Sequence, residues 1–338
     1  MTPEVWAFYA QEKLDSAHYS PFHGEKRVYR VLILSKSFGR GAKRESLAPL
    51  FEKYDLHPTF LSMEAVRGSL SEFDGLVIGT DRIEREFFER ALRVRVIVKY
   101  GVGTDNIDLG TARDRGVRVL NLPGINSTTV AEMALGLMLA AARRIAEGDR
   151  GVRSGRWEGL VGTEVAGKTL GIVGTGSVGC ALSQLVAGLR MRLLGFDRLE
   201  NPEFLAAGGR YVPLTALLSS SDFVSLHVPL TAETFHLLDA ERLGLMKPGS
   251  FLINTSRGKV IDEMALCEAL AGGRLAGAAL DVFESEPPAN DRLLSLESAV
   301  FTPHASAYTD ETLRRMDDAC LRLLSEELRR TDFRGSDT

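Results

Sequence analysis

The chain has 338 residues, 44% hydrophobic and 25% charged, with a formal charge of −4. That is globular composition, long enough for two domains, and it lacks the basic bias of a dedicated nucleic-acid binder. Three scattered cysteines, Cys180, Cys267 and Cys320, exclude a disulfide framework and offer no CxxC zinc pair, which points to a reducing, cytoplasmic setting with no bound metal.

In chain order, the N-terminus carries Glu4 and no uninterrupted apolar core, so it does not read as a secretory signal. After this polar segment, up to about Arg27, the run Val28 to Ser35 is β-branched, apolar and short, as a buried strand is. Similar runs follow at Leu76 to Gly79, Val94 to Tyr100 and Val117 to Asn121, separated by charged stretches at helical period. This alternation predicts a parallel sheet covered on both faces. NLPGINSTT, around Pro123, reads as a domain crossover, and Ser127-Thr128-Thr129 is placed to cap a helix from about Val130 to Glu147. The longest apolar run in that helix, Met133 to Ala142, is far short of a bilayer span. A second alternation begins at Thr169 and continues through RLLGFD, FVSLHVP, SFLINTSRG, GAALDVF and AVFTPH. The last stretch, Asp310 to Arg330, reads as one amphipathic helix with Leu313, Met316, Leu321, Leu324 and Leu328 on its apolar side, and the pattern does not say which domain it covers.

The strand TLGIV runs into Gly174-Thr-Gly176-Ser177-Val178-Gly179 and then a helical pattern. A GxGxxG in that context is a phosphate-binding turn: the first glycine bends the chain, the second admits a pyrophosphate, and the third lets helix pack on strand. Asp197 ends the next strand, 18 positions past Gly179. A carboxylate there accepts the ribose hydroxyls and repels a 2′-phosphate, which selects NAD over NADP, with the neighbouring Arg198 as the counter-argument.

Three residues at strand ends of the second alternation carry chemistry as a set. Arg257, with Gly258 behind it, suits a carboxylate beside a carbonyl. His304 supplies a proton to a forming alkoxide, and Glu286, in a Pro-fixed loop, favours the charged form of a histidine it meets. Singly they read as a salt bridge, a solvated loop glutamate and a structural histidine; together they are what hydride transfer to a 2-oxo acid needs.

GIVGTGSVG, HVPL (His227 to Leu230), MKPGSFLINTSRG (Met246 to Gly258), AALDVFESEP (Ala278 to Pro287) and TPH (Thr302 to His304) together resemble the D-isomer-specific 2-hydroxyacid dehydrogenases. The match is best with the branch similar to D-3-phosphoglycerate dehydrogenase, and it covers Val28 to the C-terminal helix. The resemblance implies catalytic roles for Arg257, Glu286 and His304. It implies NAD contacts at Gly174, Gly176, Ser177, Val178, Gly179, Asp197, His227, Pro229, Thr234 and Thr255, and at Asp281, which would meet the nicotinamide carboxamide. It implies an α/β fold of two flavodoxin-like or Rossmann-like doubly wound domains with a cleft between them: residues 1–123 plus 308–338 for substrate, 124–307 for NAD. It also implies a homodimer made through the cofactor domain.

KYGVGTDNID resembles the loop whose amides hold the substrate carboxylate, which implicates Val102 and Gly103. SKSFGRG carries Lys36 and Arg40, which suit a second anionic group or are simply solvated. The chain departs from the family at Ser177, where many relatives have arginine, and at Ala305-Ser306-Ala307-Tyr308, where isoleucine and glycines are common. Ending at Thr338, it leaves no room for a C-terminal regulatory domain, so serine feedback is not expected.

The expectation is an NAD-dependent oxidoreductase of a small D-2-hydroxy acid bearing a second anionic group, similar to 3-phosphoglycerate, with no nucleic-acid or membrane partner. Open alternatives are a glyoxylate or hydroxypyruvate reductase, a reductase of a phosphonate-bearing 2-oxo acid such as phosphonopyruvate, and, outside enzymes, an NAD(H)-sensing corepressor.

Overall fold

A computed structural model describes residues 22–23, 26–41, 47–66 and 70–335; most of the polar N-terminal segment lies outside them. The chain forms two compact units, one from the residues up to Asn126 together with Tyr308 onward, the other from Ser127–Ala307.

The first unit opens with a small antiparallel pair, β1 (Phe22–His23) and β2 (Lys26–Arg27). Its sheet holds β3 (Tyr29–Ile33), β4 (Leu56–Phe60), β5 (Gly75–Ile78), β6 (Val96–Lys99) and β7 (Arg118–Leu120), all parallel, in the order β4-β3-β5-β6-β7. The strands β5 and β6 are buried at every residue, which is why they read as unbroken apolar runs. No strand was expected at Leu56–Phe60, because Pro58 breaks the pattern; the structure puts that strand at the sheet edge, where a missing N–H is tolerated.

The C-terminal helix, Asp310–Gly335, belongs to this unit. Leu313, Met316, Cys320, Leu321, Leu324 and Leu328 enter one core with Val31, Ile33, Val77, Val96 and Val98. At its far end Asp332 accepts hydrogen bonds from Arg27 (2.9 Å) and Tyr29 (2.7 Å).

The second unit starts with the helix Ser127–Ala142. It stops five residues short of the expected Glu147, because the apolar stretch ends at Ala142 and Arg144 turns into the left-handed region (φ 54°), its guanidinium held on both oxygens of Glu147 at 2.7 Å. A second helix, Ile145–Arg153, follows. The sheet contains β8 (Thr169–Val173), β9 (Arg192–Phe196), β10 (Arg210–Tyr211), β11 (Phe223–Leu226), β12 (Ser250–Asn254), β13 (Leu275–Leu280) and β14 (Ala299–Phe301). All are parallel, ordered β10-β9-β8-β11-β12-β13-β14. Strand order reverses between β8 and β11, and ligands of open α/β sheets sit outside the carboxyl ends at such a switch point.

Candidate active site

The glycine turn sits at that switch point. Gly174 has φ 94°, and a Cβ there would lie 2.7 Å from the backbone of His227, so the turn after β8 and the loop after β11 pass too closely for any side chain. A Cβ on Gly179 would lie 2.2 Å from the Gly174 carbonyl, the close helix-to-strand packing expected of the third glycine. A Cβ on Gly176 would meet nothing within 4 Å, so this face is open to a ligand. The helix Ser177–Leu185 begins there, and the free N–H groups of its first turn, including those of Ser177 and Val178, form an anion site.

Asp197, at the end of β9, accepts from the Thr175 N–H (2.7 Å) and the Arg198 N–H (2.7 Å). Thr175 was not singled out in the sequence, yet it ties the glycine turn to the acidic residue. The Arg198 guanidinium reaches to Glu233 at 3.3 Å. On the β11 side, burial lowers the His227 pKa to about 4, and its Nε2 meets Ser225 Oγ at 2.9 Å, so the ring is neutral. The Thr234 hydroxyl donates to the Pro229 carbonyl (2.6 Å) and accepts from Thr231 N–H (2.8 Å), which braces this loop. Thr255, directly after β12, is 8% exposed and its hydroxyl has no partner among the described residues. An orphaned buried hydroxyl at the carboxyl end of the same sheet as an open anion-binding turn fits a dinucleotide.

Arg257, Glu286 and His304 stand on the loops after three adjacent strands, β12, β13 and β14. Asn254 shapes the Arg257 turn: its amide donates to the Arg257 carbonyl (2.9 Å) and its oxygen accepts from Ser256 N–H (3.0 Å). Gly258 is pressed against Phe283, where a Cβ would come within 1.8 Å of the backbone, and this joins the Arg257 turn to the Glu286 loop. Glu286 Oε2 meets His304 Nδ1 at 2.7 Å, and its Oε1 accepts from Phe283 N–H at 3.2 Å. Burial pushes the Glu286 carboxyl up, but the His304 hydrogen bond and the charges of His304 and Arg257 outweigh it and hold the group below the ordinary carboxylate value.

Asp281 is fully buried at the end of β13. One of its oxygens accepts from Thr302 Oγ1 (2.6 Å) and Ala305 N–H (2.8 Å); the other accepts from Ser306 N–H (2.9 Å) and the Ser306 hydroxyl. Its carbonyl accepts the His304 N–H at 2.8 Å. His304 is thereby held at φ 50°, an unusual conformation for a non-glycine residue. Asn254, Thr175 and this bracing by Asp281 were missed because their signal is a hydrogen-bonding position at a strand end, which no motif spells out.

In the first unit, Val102 is half exposed, and its carbonyl accepts from the Asn121 side chain at 2.6 Å. Lys36 and Arg40 are exposed on the loop after β3, and their side chains make no ion pair among the described residues. Among those residues no group of His, Cys, Asp or Glu is arranged to hold a metal, and no helix is long and apolar enough to cross a membrane.

Residues 135–306 match the family model for the D-isomer specific 2-hydroxyacid dehydrogenase, NAD binding domain. Among curated proteins, the chain is similar to a glyoxylate reductase of Korarchaeum cryptofilum, 47% identical over 75% of this chain and 80% of the relative. It is also similar to a hydroxypyruvate reductase of Thermotoga maritima, 38% identical over 84% and 95%. Among solved structures, the D-lactate dehydrogenase of Aquifex aeolicus, complexed with NAD and lactic acid, superposes with a TM-score of 0.78 at 27% identity, covering 89% of this chain and 95% of that one. The chain belongs to the D-isomer-specific 2-hydroxyacid dehydrogenases and is an NAD-dependent oxidoreductase.

Proposed function

We propose that the protein reduces glyoxylate and hydroxypyruvate with NADH. The observation that carries this reading is the bonded Glu286–His304 pair, whose Glu286 loop adjoins the Arg257 turn, together with the names of the similar curated proteins. The expectation of a second anionic group has less support, because the similar curated proteins are named for glyoxylate and hydroxypyruvate; Lys36 and Arg40 are exposed.

Gly174, Gly176, Ser177, Val178, Gly179, Asp197, His227, Pro229, Thr234 and Thr255 would hold the dinucleotide, which when bound supplies a hydride to the substrate C2. Arg257 fixes the substrate carboxylate and polarises the adjacent carbonyl; in the first unit the loop carrying Val102 and Gly103 is the candidate to bind substrate. His304 gives its Nε2 proton to the forming alkoxide while Nδ1 stays bonded to Glu286, and takes it back in oxidation. Asp281 keeps His304 in place through the 302–306 loop. In this reading residues 127–307 bind the cofactor, the other unit binds substrate, and the protein works in the cytoplasm.

NADH oxidation with glyoxylate, hydroxypyruvate and phosphohydroxypyruvate side by side tests the proposal. Rates on the first two that equal or exceed the third are expected; a strong preference for the phosphorylated acceptor would restore a phosphate pocket at Lys36 and Arg40. A homodimer through the cofactor unit is part of the proposal, because Trp157 and Val161 in that unit are each 88% exposed, which leaves large apolar side chains uncovered. Sedimentation of the wild type and Trp157→Ser checks it.

A further inference from the structure

We propose that Asp317, on the C-terminal helix, is a positioning residue for substrate: its carboxyl ties the loop after β3 (residues 35–41) to the end of β6 that leads into Gly101-Val102-Gly103. The proposal rests on the functional reading above, in which the loop carrying Val102 and Gly103 meets the 2-oxo acid.

Asp317 is 1% exposed. Its Oδ1 accepts from the Tyr100 hydroxyl at 2.7 Å and from the Gly39 N–H at 3.1 Å. Oδ2 is buried and meets no donor among the described residues. Tyr100 is itself 7% exposed and packs on Phe38 of the first loop, with ring centroids 5.4 Å apart. The next residue, Gly101, is fixed by its N–H to the Lys99 carbonyl and by its carbonyl to the Leu122 N–H, both 2.9 Å. The C-terminal segment grips the first loop twice more: Arg314 Nε donates to the Gly41 carbonyl at 2.7 Å, and Tyr308 shares a hydrogen bond with Ser37.

A leucine in place of Asp317 would cover the same core without desolvating a carboxyl whose second oxygen has no partner, so burial alone does not account for the residue. What the carboxyl adds is direction. It specifies where one backbone amide and one phenol stand, and each belongs to a different loop. The titratable groups facing it are Tyr100, directly after β6, and Cys320 from its own helix; the first loop presents only the Gly39 amide, and no cation pairs with it among the described residues. Burial, the largest influence, pushes the Asp317 pKa up to about 6, against the hydrogen bonds from Tyr100 and Gly39, which lower it.

Hydrogen–deuterium exchange and steady-state kinetics on the full chain carrying Asp317→Leu, Asp317→Asn or Tyr100→Phe test the proposal. In Asp317→Leu, amides of residues 37–41 and 101–104 exchange about tenfold faster, while the glycine turn at 174–179 is unchanged. The KM for glyoxylate rises about tenfold, with kcat and the KM for NADH within about twofold of wild type. Asp317→Asn keeps an oxygen for Tyr100 and Gly39 and restores both readouts; Tyr100→Phe loosens 101–104 alone, and carries the test if Asp317→Leu does not fold. Unchanged exchange in both loops overturns the proposal even in an active enzyme, as does an equal loss of kcat and NADH binding that asparagine fails to restore. A wild-type chain inactive on every 2-oxo acid overturns the functional reading and the substrate role with it, and the exchange result then decides the brace alone.

Discussion

His304 Nδ1 lies 2.7 Å from Glu286 Oε2, although the two residues are 18 positions apart and follow different strands. The contact leaves Nε2 as the only ring nitrogen to exchange a proton with substrate. His304→Ala is expected to lower kcat by about 10² to 10⁴ while NADH still binds, measured by turnover and by fluorescence titration of the cofactor. Full turnover in that variant would remove His304 from the mechanism.

Glu286→Gln keeps an acceptor and removes the charge. Because the Glu286 carboxyl is held below its ordinary value, the stability it contributes is present above the unfolded carboxylate pKa of about 4.3 and is lost as pH falls through the depressed folded value. Acid unfolding followed by circular dichroism should show a steeper limb in wild type than in Glu286→Gln.

Asp281→Ala leaves four donors of the 302–306 loop without their acceptor. Removing one side of a buried, charged network costs about 3 to 5 kcal/mol, so the variant should melt well below wild type and lose turnover together with stability. A variant with wild-type melting would show that the loop is held by other means.

Asp197→Ala removes the carboxylate that would repel a 2′-phosphate and leaves the Arg198 backbone N–H without its acceptor. The ratio of kcat/KM for NADH over NADPH should fall about tenfold or more. An unchanged ratio would place the discrimination elsewhere.

Asp317 has a folded-state pKa raised to about 6 by burial. A raised carboxyl favours folding fully below its unfolded value of about 3.9, and that contribution disappears as pH rises through about 6. Asp317→Asn has no such dependence, so its melting temperature relative to wild type should climb between about pH 4 and pH 7. A constant difference across that range would contradict the burial effect.

Strand positions were legible where both faces are buried, since β5, β6, β8 and β12 are buried at every residue and each carries a short apolar run. Leu56–Phe60 and Arg210–Tyr211 were not, because an edge strand with Pro58 and a strand of two residues leave no apolar run. The glycine turn, Asp197 and the Glu286–His304 pair were readable because their chemistry constrains residue type at fixed spacing. Lys36 and Arg40 keep both readings, because a cation in a loop has the same letters whether it faces a ligand or water. The bonds of Asp281 and Asp317 could not be read at all, since each joins segments that only the folded chain brings together.

The C-terminal helix supplies one wall of the core of the first unit, with Leu313, Met316, Cys320, Leu321, Leu324 and Leu328. During synthesis the strands β3 to β7 therefore leave the ribosome long before the residues that cover them, while Ser127–Ala307 emerges as an uninterrupted block. The N-terminal sheet must wait, part of its apolar face exposed, until the helix Asp310–Gly335 has emerged, and in this interval the nascent protein is most open to aggregation.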